Sequence, residues 1–378
     1  MKMLSINLKK KHKFNYTLFI LMMLLLAIGC VFVYSASCYS AQVTYGDKFF
    51  FLKKQLFGIV VGFFCFLFFS LLSYNKLEKI KWVIFAVSVI LLGLVFVPGI
   101  GLTNYGATRW INLRVITFQP SEIAKFSFII LSASLLSKSA EKVKSFKGIL
   151  PILLVGGIYC VLIILEPNMS ITICMALLVV TMLFVGGARF KHFAILAIPA
   201  VAVVALLILA EPYRLKRLVA FIDPFASKQD EGFQLVQSLL GISLGGMFGN
   251  GIFNSRQKFL FLPFSESDFI FSIIAEETGF VGSLFVIVLF VLLFLVILKV
   301  AKSAKDKFGF LLGTGIGSLV LIQMLLNIAV VTGLVPPTGL PLPFISAGST
   351  SIMVFMGMMG IVQNIHKNSV NCGSFFKK

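Results

Sequence analysis

Charge is what this chain has least of. Among its 378 residues only 12% are Asp, Glu, Lys or Arg, only 14 are acidic, and 59% are hydrophobic. There is too little polar surface to clothe a water-soluble fold of this size, which excludes a soluble globular enzyme and makes lipid the expected solvent. Histidine is nearly absent, at three residues, and the six cysteines form no CxxC and no His/Cys pairing. Neither a zinc site nor a disulfide framework therefore has support. Cys30, Cys65, Cys160 and Cys174 lie inside apolar runs, Cys38 follows the first run and Cys372 lies in a polar tail. The first apolar run, 16–36, lacks an A-x-A site and reads as a retained span rather than a cleaved leader. No GK[ST] follows the glycines at 241, 245, 246, 249 and 251, so a nucleotide loop is unsupported. Two readings of that glycine run stay open: close packing in a re-entrant loop, or backbone N–H groups cradling a pyrophosphate.

What is abundant is hydrocarbon, arranged in runs. Runs of ~17–25 apolar residues cross ~30 Å of bilayer as helices. They fall near 16–36, 55–73, 81–98, 121–137, 148–165, 168–187, 190–210, 269–298, 308–333 and 343–365, predicting an all-α integral membrane protein of about ten spans. The fourth run is interrupted by Glu122 and Lys125. Loop charge tests the count independently. With the N-terminus inside, 21 of the 33 Lys and Arg fall on the inner side, and the short outer loops 166–168 and 334–342 carry none, as the positive-inside rule expects. The net charge of +19 is thus juxtamembrane, and no nucleic-acid partner is implied. The expected organisation is an inner basic segment at 1–15, one membrane domain at 16–366 and an inner tail at 367–378. The outer side carries the long loops 37–54, 99–120 and 211–268, the last lying between spans seven and eight. Within it, 233–242 resembles an interfacial amphipathic helix.

Eight of the fourteen carboxylates crowd into 211–277: Glu211, Asp223, Asp230, Glu231, Glu266, Asp268, Glu276 and Glu277. An ionisable group within the hydrocarbon costs at least ~2.5 kcal/mol, so such groups mark sites. Four polar signatures accompany them on the outer side. The first is Asn104-Tyr-Gly-Ala-Thr-Arg109-Trp110-Ile-Asn112, followed by Gln119-Pro-Ser121-Glu122 and Lys125. The second is Asp223-Pro224, then Gly232-Phe-Gln234 and Gln237-Ser238. The third is Asn254-Ser-Arg256-Gln-Lys258-Phe-Leu-Phe-Leu-Pro263, then Ser267-Asp268 and Glu276-Glu277-Thr-Gly279. The fourth is Pro336-Pro-Thr-Gly339-Leu-Pro-Leu-Pro343-Phe-Ile-Ser346-Ala-Gly348.

Together these ordered signatures, over residues 14–366, resemble the SEDS family of bacterial membrane proteins, the FtsW/RodA/SpoVE group, and look closer to FtsW and SpoVE than to RodA. Two departures stand out. The family usually reads Ser-Tyr-Gly-Gly-Ser in the fourth signature, where this chain has Ala347 and Ser349. It commonly reads Pro-Asp-x-Gly after the fifth span, where this chain has Pro167-Asn168-Met169-Ser170, with Glu166 just before.

The resemblance implies a peptidoglycan glycosyltransferase of the bacterial cytoplasmic membrane, both termini cytoplasmic. It would polymerise lipid II at the outer leaflet with a class B penicillin-binding protein and other divisome or sporulation membrane proteins. The donor leaves as a lipid pyrophosphate, so no nucleotide or other cofactor is needed, and the use of a divalent cation stays open. The acceptor hydroxyl must lose a proton, which calls for a carboxylate base. The resemblance assigns that role to Asp268, whose bland alternative is the N-cap of span eight. Arg109, Arg256 and Lys258 are candidates for the pyrophosphate, with anionic headgroups as their alternative.

Gln119, Ser121, Glu122, Lys125, Glu276, Glu277 and Ser346 complete the expected substrate cavity. Glu122 and Lys125, at i,i+3, can neutralise each other. Glu276 and Glu277 lie ~12–13 Å beyond Asp268 along a helix, and one of them must face the interior, to pair with Lys125 or meet polar substrate groups. Trp110 reads as an interfacial anchor. Two other functions compete. A precursor flippase needs polar groups at both leaflets, yet spans one to three and six are almost devoid of ionisable residues. A non-catalytic division scaffold would suit Ala347 and Ser349, but Asp268 is intact.

Overall fold

The computed structural model describes residues 14–369, apart from 105–106, 113–116, 139–140, 210–211, 227–231 and 338. The basic segment before residue 14, the tail with Cys372, and Glu211, Asp230 and Glu231 lie outside the described residues. Helices dominate: α1 (Tyr16–Tyr45), α2 (Phe50–Leu71), α3 (Tyr74–Lys79), α4 (Lys81–Leu94), α5 (Pro120–Lys138), α6 (Phe146–Leu165), α7 (Met169–Gly186), α8 (Phe190–Leu209), α9 (Pro212–Ile222), α10 (Phe233–Gly245), α11 (Ile270–Lys302), α12 (Lys307–Val331) and α13 (Ser349–Asn368). A helix occupies each apolar run, and α1, α2, α6, α7, α11 and α12 are long and apolar enough to cross a membrane.

Helix ends follow their local sequence. Asn15 caps α1 by accepting from Leu18 N at 3.0 Å. Asp306 caps α12 by accepting from Gly309 N at 2.6 Å and is held by the Tyr74 hydroxyl at 2.8 Å. Asn168, where the family commonly has Asp, caps α7 by accepting from Ile171 N at 3.4 Å. Asn and Asp cap about equally well, so that departure leaves the helix start intact. α2 and α13 pack closely through small residues. A Cβ on Gly62 would meet Met356 Sδ at 2.6 Å, and one on Gly360 would meet the Phe66 carbonyl at 2.4 Å, the close backbone approach that associates helices in lipid.

Three expectations are corrected. The all-α description omits a three-stranded antiparallel sheet, β1 (Gly101–Asn104), β2 (Ala107–Asn112) and β3 (Thr117–Phe118), in the loop at 99–120. Thr, Trp and Ile in β2 suit a pleated, half-buried surface, and Thr103 and Thr108 pair across the hairpin at 2.7 Å. The helix at 233–242 does not lie apart from the bundle. As α10 it buries Leu235, Val236, Ser238, Gly241 and Gly245, and Ser238 Oγ lies 2.7 Å from Ser272 Oγ and donates to the Val331 carbonyl at 2.7 Å.

The third correction concerns span eight, which is broken at Gly279 (φ 67°, ψ −165°). The N–H groups freed by the break, those of Phe280 and Val281, donate to the carbonyls of Gly246 and Met247 at 2.9 and 3.1 Å. In return Asn250 N and Gly251 N donate to the carbonyls of Glu276 and Glu277, each at 3.0 Å. Backbone within a bilayer must be satisfied by protein, and this reciprocal pairing does so. At Gly245 and Gly249 the glycine run serves close packing, since a Cβ would lie 2.0 and 2.2 Å from the carbonyl oxygens of Ala275 and Glu277, and the N–H groups of Gly249 and Gly251 are already committed. Gly279→Ala should lower stability by more than ~2 kcal/mol, because a Cβ there would sit 2.4 Å from Gly249 N in a left-handed conformation. Thermal unfolding in detergent measures this, and an unchanged Tm would show that the break relaxes freely.

Candidate active site

Asp268 lies half-buried at the head of α11. The helix's N-cap is Phe269, so Asp268 stands one residue ahead of the capping position. Its segment is clamped by backbone contacts. Asn327 Nδ2 on α12 donates to the Asp268 carbonyl at 2.8 Å and to the Leu340 carbonyl at 2.7 Å. Ser346 Oγ donates to the Ser267 carbonyl at 2.6 Å and accepts from Leu342 N at 2.7 Å. Ala347 N donates to the Glu266 carbonyl at 2.9 Å, a bond indifferent to the side chain at 347. The proline-rich loop presses so near that a Cβ on Gly339 would lie 2.7 Å from Asp268 Oδ2. Phe264 and Phe344, in the two segments that meet at this clamp, have left-handed φ of 57° and 64°. Strain of that kind clusters at functional sites.

The clamp extends inward. Asn327 and Gln323 lie on one face of α12, i,i+4, at 1% and 0% exposure. Gln323 Nε2 donates to the Pro341 carbonyl at 2.8 Å, and its Oε1 accepts from Lys125 Nζ at 2.7 Å. Lys125 also pairs with Glu122 Oε1 at 2.8 Å and lies 5.8 Å from the Phe355 ring centroid. The expected Glu122–Lys125 pair is thus present and joined to the proline-rich loop. Gln119 and Ser121 are buried at the start of α5, and Ser121 Oγ and Glu122 Oε2 have no hydrogen-bond partner.

Other residues are engaged differently from expectation. Glu276 and Glu277 are both buried, and neither pairs with Lys125, which already has Glu122 and Gln323. Glu276 accepts from Ser255 Oγ at 2.5 Å and Arg256 N at 2.8 Å. Glu277 accepts from Ser35 Oγ at 2.5 Å and Ser255 N at 3.2 Å, and lies 3.6 Å from Lys258 Nζ. Lys258, expected at a pyrophosphate, is 5% exposed and also donates to the Phe253 carbonyl. The two carboxylates thus pin the Ser-Arg-Gln-Lys turn to α11 and leave the Arg256 side chain exposed. Ser346 spends its hydroxyl on backbone rather than facing a ligand with a free oxygen. Gln323 and Asn327 were not singled out from sequence, although an i,i+4 amide pair within an apolar span was a usable signal, and Gly339 stood only as part of the fourth signature.

Arg109, on β2, donates through Nε to the Glu166 carbonyl at 3.2 Å and through its terminal nitrogen to the Pro167 carbonyl. Both Glu166 carboxylate oxygens are buried without hydrogen-bond partners. Burial pushes this carboxyl from its usual 4.5 up to about 8, with Arg109 partly opposing the rise. The folded state therefore holds a proton that the unfolded chain has lost. The stability it contributes is full below pH 4.5 and is lost as pH rises to about 8. Wild-type stability should fall across that window by up to ~1.4 kcal/mol per pH unit, and Glu166→Gln should flatten the slope. Parallel Tm–pH curves for the two proteins would refute this.

Among the described residues no group of three His, Cys, Asp or Glu side chains could hold a metal ion.

Fold and site define a polytopic helical membrane protein whose half-buried aspartate is clamped at the head of a broken helix and linked to a buried ion pair. A family model described as "Cell cycle protein", that of FtsW, RodA and SpoVE, matches residues 15–371, and the chain belongs to this family. Stage V sporulation protein E of Bacillus subtilis (strain 168) is 36% identical over 95% of this chain and 99% of its own length. A "Probable peptidoglycan glycosyltransferase FtsW" of Geobacter sp. (strain M18) is 37% identical, covering 93% and 96%. Among solved structures, a chain from "Structural coordination of polymerization and crosslinking by a peptidoglycan synthase complex" matches with TM-score 0.78 and 25% identity, covering 93% and 97%. The Thermus thermophilus rod shape determining protein RodA shares the fold with TM-score 0.68 and 23% identity, covering 94% and 97%.

Proposed function

We infer that this chain is a peptidoglycan glycosyltransferase that polymerises lipid II at the outer leaflet, in division or sporulation. The observation that carries the reading is the clamp on Asp268: its backbone and that of Ser267 are held by Asn327 and Ser346, and its carboxylate lies against the bare Cα of Gly339, in a chain whose relatives carry that activity in their names. Asp268 takes the proton of the acceptor sugar hydroxyl as its oxygen bonds to the donor's anomeric carbon. The bond from that carbon to the pyrophosphate breaks, and the lipid pyrophosphate leaves with the electron pair. Arg256, exposed on its pinned turn, offers a bidentate fork to that leaving anion. Lys125, paired with Glu122, reaches this region through Gln323, and Gln119 and Ser121 stand at the start of the same helix.

The topology that suits this chemistry has ten spans, both termini cytoplasmic and 211–268 outside. Labelling of Cys372 in intact cells by an impermeant thiol reagent would sink it. A class B penicillin-binding protein is the expected partner, since the matched synthase complex couples polymerization to crosslinking. The deciding experiment is lipid II polymerisation by the purified protein, with and without its cognate transpeptidase. Failure under both conditions, with folded protein, would leave the scaffold reading.

A further inference from the structure

The α5–α6 and α7–α8 connections border a second polar region, open to the surface, that glycosyl transfer does not use. A cavity of about 700 Å³ is walled by Lys144, Ser145 and Phe146 on one side and by Arg189, Lys191 and Ile195 on the other. Both walls are helix beginnings. α6 opens at Phe146, with Ser145 Oγ accepting from Gly148 N at 3.3 Å, and α8 opens at Phe190. Neither first turn carries an acidic residue, so no carboxylate of either 20-residue helix offsets its positive end.

The side-chain charge adds to this. Glu141 is the one carboxylate on the lining and is paired with Lys144 at 2.9 Å. Among the described residues Arg189 and Lys191 make no ion pair, and both side chains are exposed. His192, 2% exposed, lies between the walls with its ring 6.2 Å from that of Phe146 at 70°, and its Nδ1 has no hydrogen-bond partner. Loop cations set by the positive-inside rule would ordinarily be scattered over a surface. Here they share one concavity with two helix N-termini.

The rest of the lining is apolar. Phe146 and Ile195 are 44% and 55% exposed, and Phe190 beside them is 79% exposed. A free inorganic anion has no use for such walls, whereas an amphipathic anion matches both halves. We infer that this cavity binds the phosphodiester head of an acidic phospholipid, with its acyl chains along Phe146 and Ile195. Basic pockets between spanning helices recognise lipid heads in this way. The inference rests on the membrane location alone and is independent of the proposed glycosyl transfer.

The test is native mass spectrometry of the full-length protein released from nanodiscs of equal phosphatidylglycerol and phosphatidylethanolamine. Wild type should retain phosphatidylglycerol preferentially. Arg189→Gln/Lys191→Gln should retain roughly tenfold less, while Lys299→Gln/Lys302→Gln, which removes the same charge elsewhere, should retain it normally. Equal retention of the two lipids by wild type overturns the inference without recourse to any variant. Equal loss in both double variants overturns it in favour of diffuse surface charge. Displacement of the lipid by millimolar inorganic phosphate overturns the lipid source and assigns the cavity to small phosphate anions.

Discussion

Asp268→Asn should abolish glycan polymerisation while leaving an inserted, folded protein. A positioned general base contributes ~10²–10⁴-fold to rate, and the substitution removes that base with almost no change of volume beside Gly339. The fold should tolerate it because the clamp grips backbone: Asn327 binds the Asp268 carbonyl, Ser346 binds the Ser267 carbonyl and the N-cap of α11 is Phe269. The measurement is lipid II polymerisation by the purified variant with its transpeptidase, alongside Tm in detergent. Near-normal polymerisation would move the base elsewhere. Glu266 is the next carboxylate along the chain, but burial pushes its carboxyl upward, which favours the protonated form and suits it to donating a proton more than to taking one.

The parts of this molecule written in single-residue chemistry could be read without coordinates. Apolar runs gave the helix positions, because bilayer thickness sets their length. The i,i+3 spacing gave Glu122 and Lys125 as a pair. Asp268, with Glu266 just before an apolar run, drew notice because ionisable groups are costly there, and the family resemblance chose between them. What stayed hidden depends on register between distant segments. Nothing local says that Lys258 meets Glu277 rather than a ligand, or that both glutamates accept from the turn at 255–256; α11 and the 253–258 loop had to be placed side by side first. The break at Gly279 was hidden likewise, since a glycine inside a long apolar run also fits a continuous helix. It breaks because residues 246–251 supply tertiary partners for its freed backbone. Gln323 and Asn327 carried a visible polar signal, but their roles belong to the proline-rich loop that they hold.

That loop makes Lys125 the test of whether the buried pair acts beyond stability. Lys125→Met alone should destabilise by ~3–5 kcal/mol, because Glu122 would remain as a buried, uncompensated charge. Glu122→Gln/Lys125→Met should recover most of this, since replacing both members of a buried pair is often close to neutral. The double variant should still polymerise lipid II at least about tenfold more slowly, a loss of ~1.4 kcal/mol in transition-state stabilisation. The reason lies in a chain of contacts. Lys125 Nζ fixes Gln323 Oε1, which aims Gln323 Nε2 at the Pro341 carbonyl, and the segment so held places Gly339 against Asp268 and Leu340 on Asn327. Without the ammonium the Gln323 amide is free to turn, and the loop loses one of its two α12 anchors. Wild-type rates from a stable double variant would show the pair to be structural only. A stable variant slowed in kcat, with KM little changed, would show that a charge buried two helices away sets the geometry of the base.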